Sequence, residues 1–228
     1  MHAGFHFLVA LTFITGGAAA DLPLKVGNIA TGSPGRVTIT NTAAQPATAW
    51  SLATVTRADN GRTRREVETV DGYLSEITHG LPGAAERLER LLPGQSRQFT
   101  MDALPEGAMV EIIAVVLDDG TAMGDEHEIE SIFSRRVKER DALRAVVEAF
   151  NDVLRAQHGM AAVDVLREKL AAIAQRAESV PCRAALDAVE TYRARSGSSD
   201  AIDQSLRTYA AFVTRQYELA EKHAQRKA

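Results

Sequence analysis

The chain has 228 residues, of which 45% are hydrophobic, 5% aromatic and 25% charged, and its net charge is −4. This length and apolar content predict a globular protein with a buried core, arranged as one large domain or two small ones. Few aromatic residues argue against a surface of exposed rings for sugars or bases, and basic residues interleaved with acidic ones argue against nucleic-acid binding.

The first 20 residues have the pattern of a cleavable signal peptide. An apolar run over residues 5–14 is followed by two glycines and three alanines, and the small side chains at 18 and 20 suit signal peptidase. The run is shorter than the roughly 20 residues that a permanent membrane span needs. It lacks a preceding Lys or Arg, which leaves a buried N-terminal strand or helix as the alternative. The sequence predicts export to the periplasm or the extracellular space, with Asp21 near the mature start.

Residues 21–124 alternate short β-type runs with turn residues, which predicts an antiparallel β-sandwich. Val37–Asn41 alternates apolar and polar side chains, as a half-buried strand does. Met109–Leu117 is nearly all apolar, which predicts a central strand covered on both faces. Asp59-Asn60-Gly61 predicts a hairpin turn, and residues 84–92 predict a short helix.

Four stretches in this half resemble the small immunoglobulin-like domains of uncharacterised exported bacterial proteins. They are Val37–Asn41, the strand that contains Trp50, Leu92–Arg97 and Ala114–Thr121. The resemblance implies an immunoglobulin-like fold and an exported location, and it transfers no catalytic residues. The chain departs from the pattern because it lacks a pair of cysteines and carries a long insertion over residues 67–92.

Residues 125–228 have the periodicity of helices, so the predicted fold class is α+β in two parts. A long helix is predicted over 125–158, with Asp125 as its N-cap and Glu128 in the capping-box position. Three more are predicted over about 160–179, 181–196 and 199–224, and their apolar stripes favour a small bundle. The charges support two units: residues 21–133 hold 9 basic and 17 acidic residues, whereas residues 134–228 hold 17 and 13.

The middle of the long helix, Arg135–Asp141, is nearly devoid of apolar residues. This composition predicts a solvated helix face with internal ion pairs. An acidic partner or lipid headgroups are the alternatives for the same face.

An acidic patch before and at the start of the long helix is the best candidate for a metal site, because hard cations prefer several oxygen ligands. Its members are Asp118, Asp119, Asp125, Glu126, His127, Glu128 and Glu130. The spacing lacks the alternating Asp positions of an EF-hand and the second His of a zincin helix. A hairpin turn and a helix cap explain these residues without a metal, so neither a metal nor a cofactor is predicted.

Other reactive groups are isolated in the sequence. Cys182 is the only cysteine and follows a proline at a predicted helix start, where a buried and inert thiol is favoured over a reactive one. The histidines after residue 20 are His79, His127, His158 and His223. Serine-hydrolase elbows and nucleotide-binding glycine motifs are absent from the sequence.

Two functions remain open. The first is a non-catalytic exported module that binds a protein partner or a second copy of itself through the helical region. The second is a secreted hydrolase with a site at the sandwich–helix junction, built from Asp118, Asp119, His127 and His79. The missing motifs favour the first, and no nucleic acid or membrane span after cleavage is expected.

Overall fold

A computed structural model describes residues 21–57, 62–73, 90–176, 180–194 and 197–227. The predicted signal peptide, the predicted hairpin turn at 59–61, His79 and most of the predicted helix at 84–92 lie outside these residues. The described end of that helix is not helical, because Leu91 forms a β-bridge with Ala47.

Seven strands precede four helices within the described residues, which confirms the α+β class. The strands are β1 (Leu24–Ala30), β2 (Gly35–Asn41), β3 (Ala47–Arg57), β4 (Thr63–Asp71), β5 (Ser96–Met101), β6 (Met109–Leu117) and β7 (Ala122–Gly124). The helices are α1 (Glu126–Ala156), α2 (Gly159–Arg176), α3 (Val180–Ala194) and α4 (Ser199–His223). We call β1–β7 the two-sheet unit and α1–α4 the helical unit; the division of the chain into domains stays a prediction.

The strands form two antiparallel sheets, with the orders β1-β2-β5 and β4-β3-β6-β7. Their inner faces share one apolar core, to which β2 contributes Val37 and Ile39 and β3 contributes Trp50 and Leu52. The ring of Trp50 meets that of Phe99 on β5 edge-on, with 5.3 Å between centroids, a favoured geometry for aromatic pairs. In β2 the alternation of apolar and polar residues sets which face is buried, whereas β3 is buried on both faces over residues 47–54.

Strand β6 is covered on both faces over its second half, as its apolar sequence predicts. Val115 faces the core between the sheets. Ala114 and Val116 pack instead against Ile129 and Ile132 of α1. The first half of the strand is more open, and Met109 is exposed. Helix α1 thus covers one end of the outer face of the four-stranded sheet.

The second half of α1 packs with α2, α3 and α4 around a separate core. Its largest members include Leu143 and Phe150 of α1, Leu166 of α2 and Leu206 of α4. Cys182 on α3 is fully buried in the same core. Helix α1 therefore belongs to two apolar clusters: one lies on the outer face of the four-stranded sheet, and the other is the core of the helical unit. This continuity couples the two-sheet unit to the helical unit.

Gly124 ends β7 just before α1, and alanine there is expected to destabilise the protein by about 2–4 kcal/mol. Its φ is +115°, and an added Cβ would overlap the carbonyl oxygen of Ile113. Gly94 is a matched control, because its φ of +71° is also unfavourable for alanine but its Cβ would enter open space. Urea denaturation of both variants is the measurement, and an equal loss would contradict the steric explanation.

Candidate functional site

A buried arginine joins the two units in the middle of α1. The side chain of Arg136 is 1% exposed. Its Nε and Nη2 donate to the two carboxylate oxygens of Asp71 on β4, at 2.8 and 3.0 Å. Nη2 also donates to Thr48 Oγ1 on β3 at 3.1 Å, and Nη1 donates to the carbonyl oxygen of His223 at 3.2 Å. One guanidinium therefore binds two strands and the end of α4, an arrangement we call the junction.

Aromatic rings surround the junction. The guanidinium carbon of Arg136 lies 5.5 Å from the ring centroid of Tyr73 and 5.8 Å from that of Phe133. The imidazole of His223 stacks on Tyr73 with 4.1 Å between centroids. A buried ion pair is tolerated only with near-complete hydrogen bonding. The four hydrogen bonds of Arg136 and the surrounding rings therefore indicate a structural role for its ion pair with Asp71. The described residues at this point form a closed network rather than an open cleft.

His223 is the titratable group of the junction, and it is almost fully buried. Burial lowers its pKa to about 4, against the opposing effect of the Asp118 carboxylate; the charges of Arg136, Lys222 and Arg90 lower it further. Its Nε2 lies 3.9 Å from Asp118 Oδ1. The imidazole is therefore neutral near pH 7.

Asp118 and Asp119, two of the predicted site residues, pair with cations. Asp118 Oδ1 lies 3.3 Å from an Nη1 of Arg90, and its Oδ2 lies 3.5 Å from Lys222 Nζ. Asp119 accepts from Lys227 Nζ at 2.7 Å. That hydrogen bond lowers the pKa of Asp119, with help from the backbone amide two residues on. Both carboxylates are thereby matched to basic groups.

Asp125 caps α1, as its position predicts. Its Oδ1 accepts from the backbone N–H groups of His127 and Glu128, at 3.0 and 3.3 Å. The predicted reciprocal contact of a capping box is replaced, because Glu128 accepts instead from Ser51 Oγ at 3.4 Å. This contact ties the first turn of α1 to β3.

The remaining patch residues also fail to converge on one point. Glu126 is held by both terminal nitrogens of Arg226, whose hydrogen bond lowers the Glu126 pKa. His127 is exposed at the helix start. Within the described ranges, no three His, Cys, Asp or Glu side chains are grouped so that they could hold a metal ion.

The C-terminal segment, residues 224–227, returns to the turn between β6 and β7. Lys227 donates its backbone N–H to the carbonyl of Gly120 at 3.0 Å, in addition to its side-chain bond to Asp119. The last predicted helix ends at residue 224, and no local pattern in the sequence indicates that residues 225–227 fold back. The charge of the segment is the signal that could have predicted this contact, because a basic C-terminal end complements the acidic patch.

A second feature lies at the far end of the helical unit. A shallow groove of about 330 Å³, open to solvent, runs between α1 and α4. It is lined by Asn151, Leu154 and Arg155 of α1 and by Arg207 and Ala210 of α4. We call it the α1/α4 groove. No sequence motif marks these residues as a surface feature.

Beside the groove, Asp203 of α4 caps the start of α2. Its Oδ1 accepts from the backbone N–H of Gly159 at 2.6 Å, and its Oδ2 lies 3.0 Å from His158 Nδ1. The Gly159 hydrogen bond lowers the pKa of Asp203, and His158 and the charge of Arg207 add to this. A cap supplied by another helix has no local sequence pattern, so it was not predictable.

Replacing Asp203 with alanine is expected to lower the free energy of unfolding by about 1–2 kcal/mol, as loss of an N-cap does. Asparagine should retain most of the stability because its amide oxygen still accepts from Gly159. Urea denaturation of both variants is the measurement. Asp200→Ala, an exposed change in the first turn of α4, is the control, and a D203A loss no larger than this one would contradict the capping role.

Comparison with protein-family models, with curated proteins and with solved structures finds no match to this chain. None of the helices in the described part of the chain is long and apolar enough to cross a membrane. Function is therefore inferred from the chain's own geometry and charges.

Proposed function

We propose that this chain is an exported, non-catalytic binding module whose helical unit contacts a protein partner. One contrast carries the proposal. Arg136 is paired with Asp71, and Asp118, Asp119 and Glu126 are paired with basic side chains, whereas Arg155 and Arg207 line an open groove without a carboxylate of the described residues bound to them. Unmatched charge on an open surface is available to a partner.

The two-sheet unit is proposed to be an immunoglobulin-like sandwich. Its first, second and fifth strands form one sheet, and its fourth, third, sixth and seventh form the other. The chain therefore changes sheet between β2 and β3 and again on each side of β5, as in Greek-key sandwiches. Trp50, buried on β3 against the opposite sheet, also supports this assignment. In the proposal this unit is a scaffold for the helices.

Export is supported by the leader pattern of residues 1–20. Only one cysteine is present in the sequence, so no disulfide within the chain can stabilise it in an oxidising compartment. Cell fractionation followed by N-terminal sequencing tests this part, with Asp21 as the expected first residue. A cytoplasmic chain that retains Met1 would contradict export.

The hydrolase alternative gains no support from the described residues. Asp118 and Asp119 are occupied by basic side chains, and His127 lies exposed at the start of α1. Asp118 does approach His223, but that imidazole is buried and packs against the ring of Tyr73. A nucleophile or general base needs access to substrate, which this closed arrangement does not give.

Photo-crosslinking in intact cells tests the binding function. A benzophenone amino acid is placed at Thr208 on the exposed side of α4 and, as the matched control, at Lys25 on β1. We expect an adduct of one defined mass at the helical position and none at the strand position. No adduct at the helical position, together with a monomer in light scattering, would contradict the proposal.

A further inference from the structure

We propose that the α1/α4 groove binds carboxylate side chains presented on an acidic helix of a partner protein. This inference rests on the proposed binding function and names the partner's chemistry. It follows from the juxtaposition of two unpaired guanidinium groups over an apolar strip between antiparallel helices.

Their place in the groove sets Arg155 and Arg207 apart. Some exposed cations of the helical unit pair with carboxylates, such as Lys169 with Asp152 at 3.6 Å. Arg183 and Arg215 pair with no carboxylate of the described residues, but they do not line the groove. Across the described part of the chain, Arg155 and Arg207 make no hydrogen bond or ion pair. Arg207 is near enough to Asp203 to influence its pKa, but that carboxylate is bound to Gly159 and His158.

Two guanidinium groups in one groove repel each other and together present about ten N–H donors. Carboxylates match this donor geometry because each can accept two parallel hydrogen bonds from one arginine. Asn151 adds an amide donor at the same wall, and Leu154 and Ala210 supply the apolar strip. The groove therefore fits an apolar surface that carries acidic side chains.

The shape of the groove favours a helix over a free acid. Small-molecule sites enclose most of their ligand, whereas this groove is shallow and open. Two adjacent helices leave a furrow in which a third can pack, with apolar and charged anchors spaced three and four residues apart. A helix of about 16 residues would extend some 24 Å along it.

A nucleic acid fits the surroundings less well. Non-specific binding to phosphates needs a row of cations, since affinity grows with the number of phosphates neutralised. Here Asp152 lies one helical turn before Arg155, and Asp203 lies one turn before Arg207. The groove therefore offers two guanidinium groups interrupted by carboxylates, not the continuous row of cations that a phosphate backbone needs.

The test measures binding of the purified protein to a fluorescent helical peptide of about 16 residues that carries leucine and glutamate along one face. A second peptide has glutamine in place of each glutamate. The protein variants are Arg155→Glu, Arg207→Glu and, as the matched control, Arg183→Glu, an exposed arginine on α3 outside the groove. Fluorescence anisotropy at about 0.15 M salt gives each affinity. Circular dichroism confirms that every variant is folded.

We expect saturable binding of the acidic peptide to the native chain. Either groove substitution should weaken this affinity at least about tenfold, as loss of one strong charge pair requires. The native chain should bind the glutamine peptide at least about tenfold more weakly than the acidic one. The control substitution should change the affinity less than about twofold. Equal weakening by Arg183→Glu, or no saturable binding, would overturn the inference. Tighter binding of a single-stranded oligonucleotide through the same arginines would replace it with nucleic-acid binding. Cellular crosslinks on α4 that survive both groove substitutions would leave the proposed function standing and remove this site.

Discussion

Replacing Arg136 with alanine is expected to lower the free energy of unfolding by about 3–5 kcal/mol, as breaking a buried ion pair does. The Asp71 carboxylate, 3% exposed, would stay buried without the guanidinium that binds both of its oxygens. Thr48 and the carbonyl of His223 would each lose a donor. The rings of Tyr73 and Phe133 would each lose their contact with the guanidinium group. Strands β3 and β4, α1 and the end of α4 are therefore weakened together.

Urea denaturation of R136A, of D71A and of the double variant measures this effect. Each single change should cost several kcal/mol, and the double variant should cost less than their sum because it leaves no unpaired charge. Arg140→Ala is the matched control on the same helix. Its ion pair with Asp141 is exposed, so a loss below about 1 kcal/mol is expected. If R136A lowered the free energy of unfolding no more than the control R140A, the junction would contribute little to stability.

Helices and buried strands were predictable because the patterns that specify them lie within each element's own sequence. The capping position of Asp125 and the apolar spacing after it fix the start of α1, and the periodicity of the other helices fixes their extents within a few residues. Strand β6 was predictable for the same reason, since a nearly continuous apolar run needs cover on both faces. Which elements cover it depends on distant segments and was not predictable.

The interpretation of Arg135–Asp141 as a solvated face is wrong at Arg136. A charged residue on a helix is usually exposed, and the sequence does not indicate that Asp71, some 65 positions away, supplies its counterion. The α1/α4 groove and the cap from Asp203 were not predictable for the same reason, namely that their parts are distant in the sequence. Each depends on two helices that are adjacent only in the folded chain.

Lowering the pH from about 6.5 to 4 is expected to destabilise the protein through His223 by roughly 3 kcal/mol. Its pKa is about 4 in the folded state and near 6.5 when exposed, so the unfolded state binds more protons between those values. Stability contributed by the neutral imidazole is therefore complete above pH 6.5 and is lost as the pH falls toward 4. The folded-state value reflects burial first, with Asp118 opposing it and Arg136, Lys222 and Arg90 adding to it.

Carboxylates act in a lower window, which separates their effect from that of His223. Hydrogen bonds from Lys227 and Arg226 lower the pKa values of Asp119 and Glu126, so their contribution is present above about pH 4 and declines only below it. A loss of stability between pH 6.5 and 4.5 should therefore come mainly from the imidazole.

Denaturation at a series of pH values, on the native chain and on His223→Phe, tests this assignment. Phenylalanine can stack on Tyr73, and the backbone carbonyl at 223 still accepts from Arg136, so the junction should persist without the titrating group. The variant should lose the pH slope between 4.5 and 6.5, whereas the exposed control His127→Gln should keep it. A slope that survives in H223F would assign the acid sensitivity to other groups, and the junction would then be insensitive to the charge of its histidine.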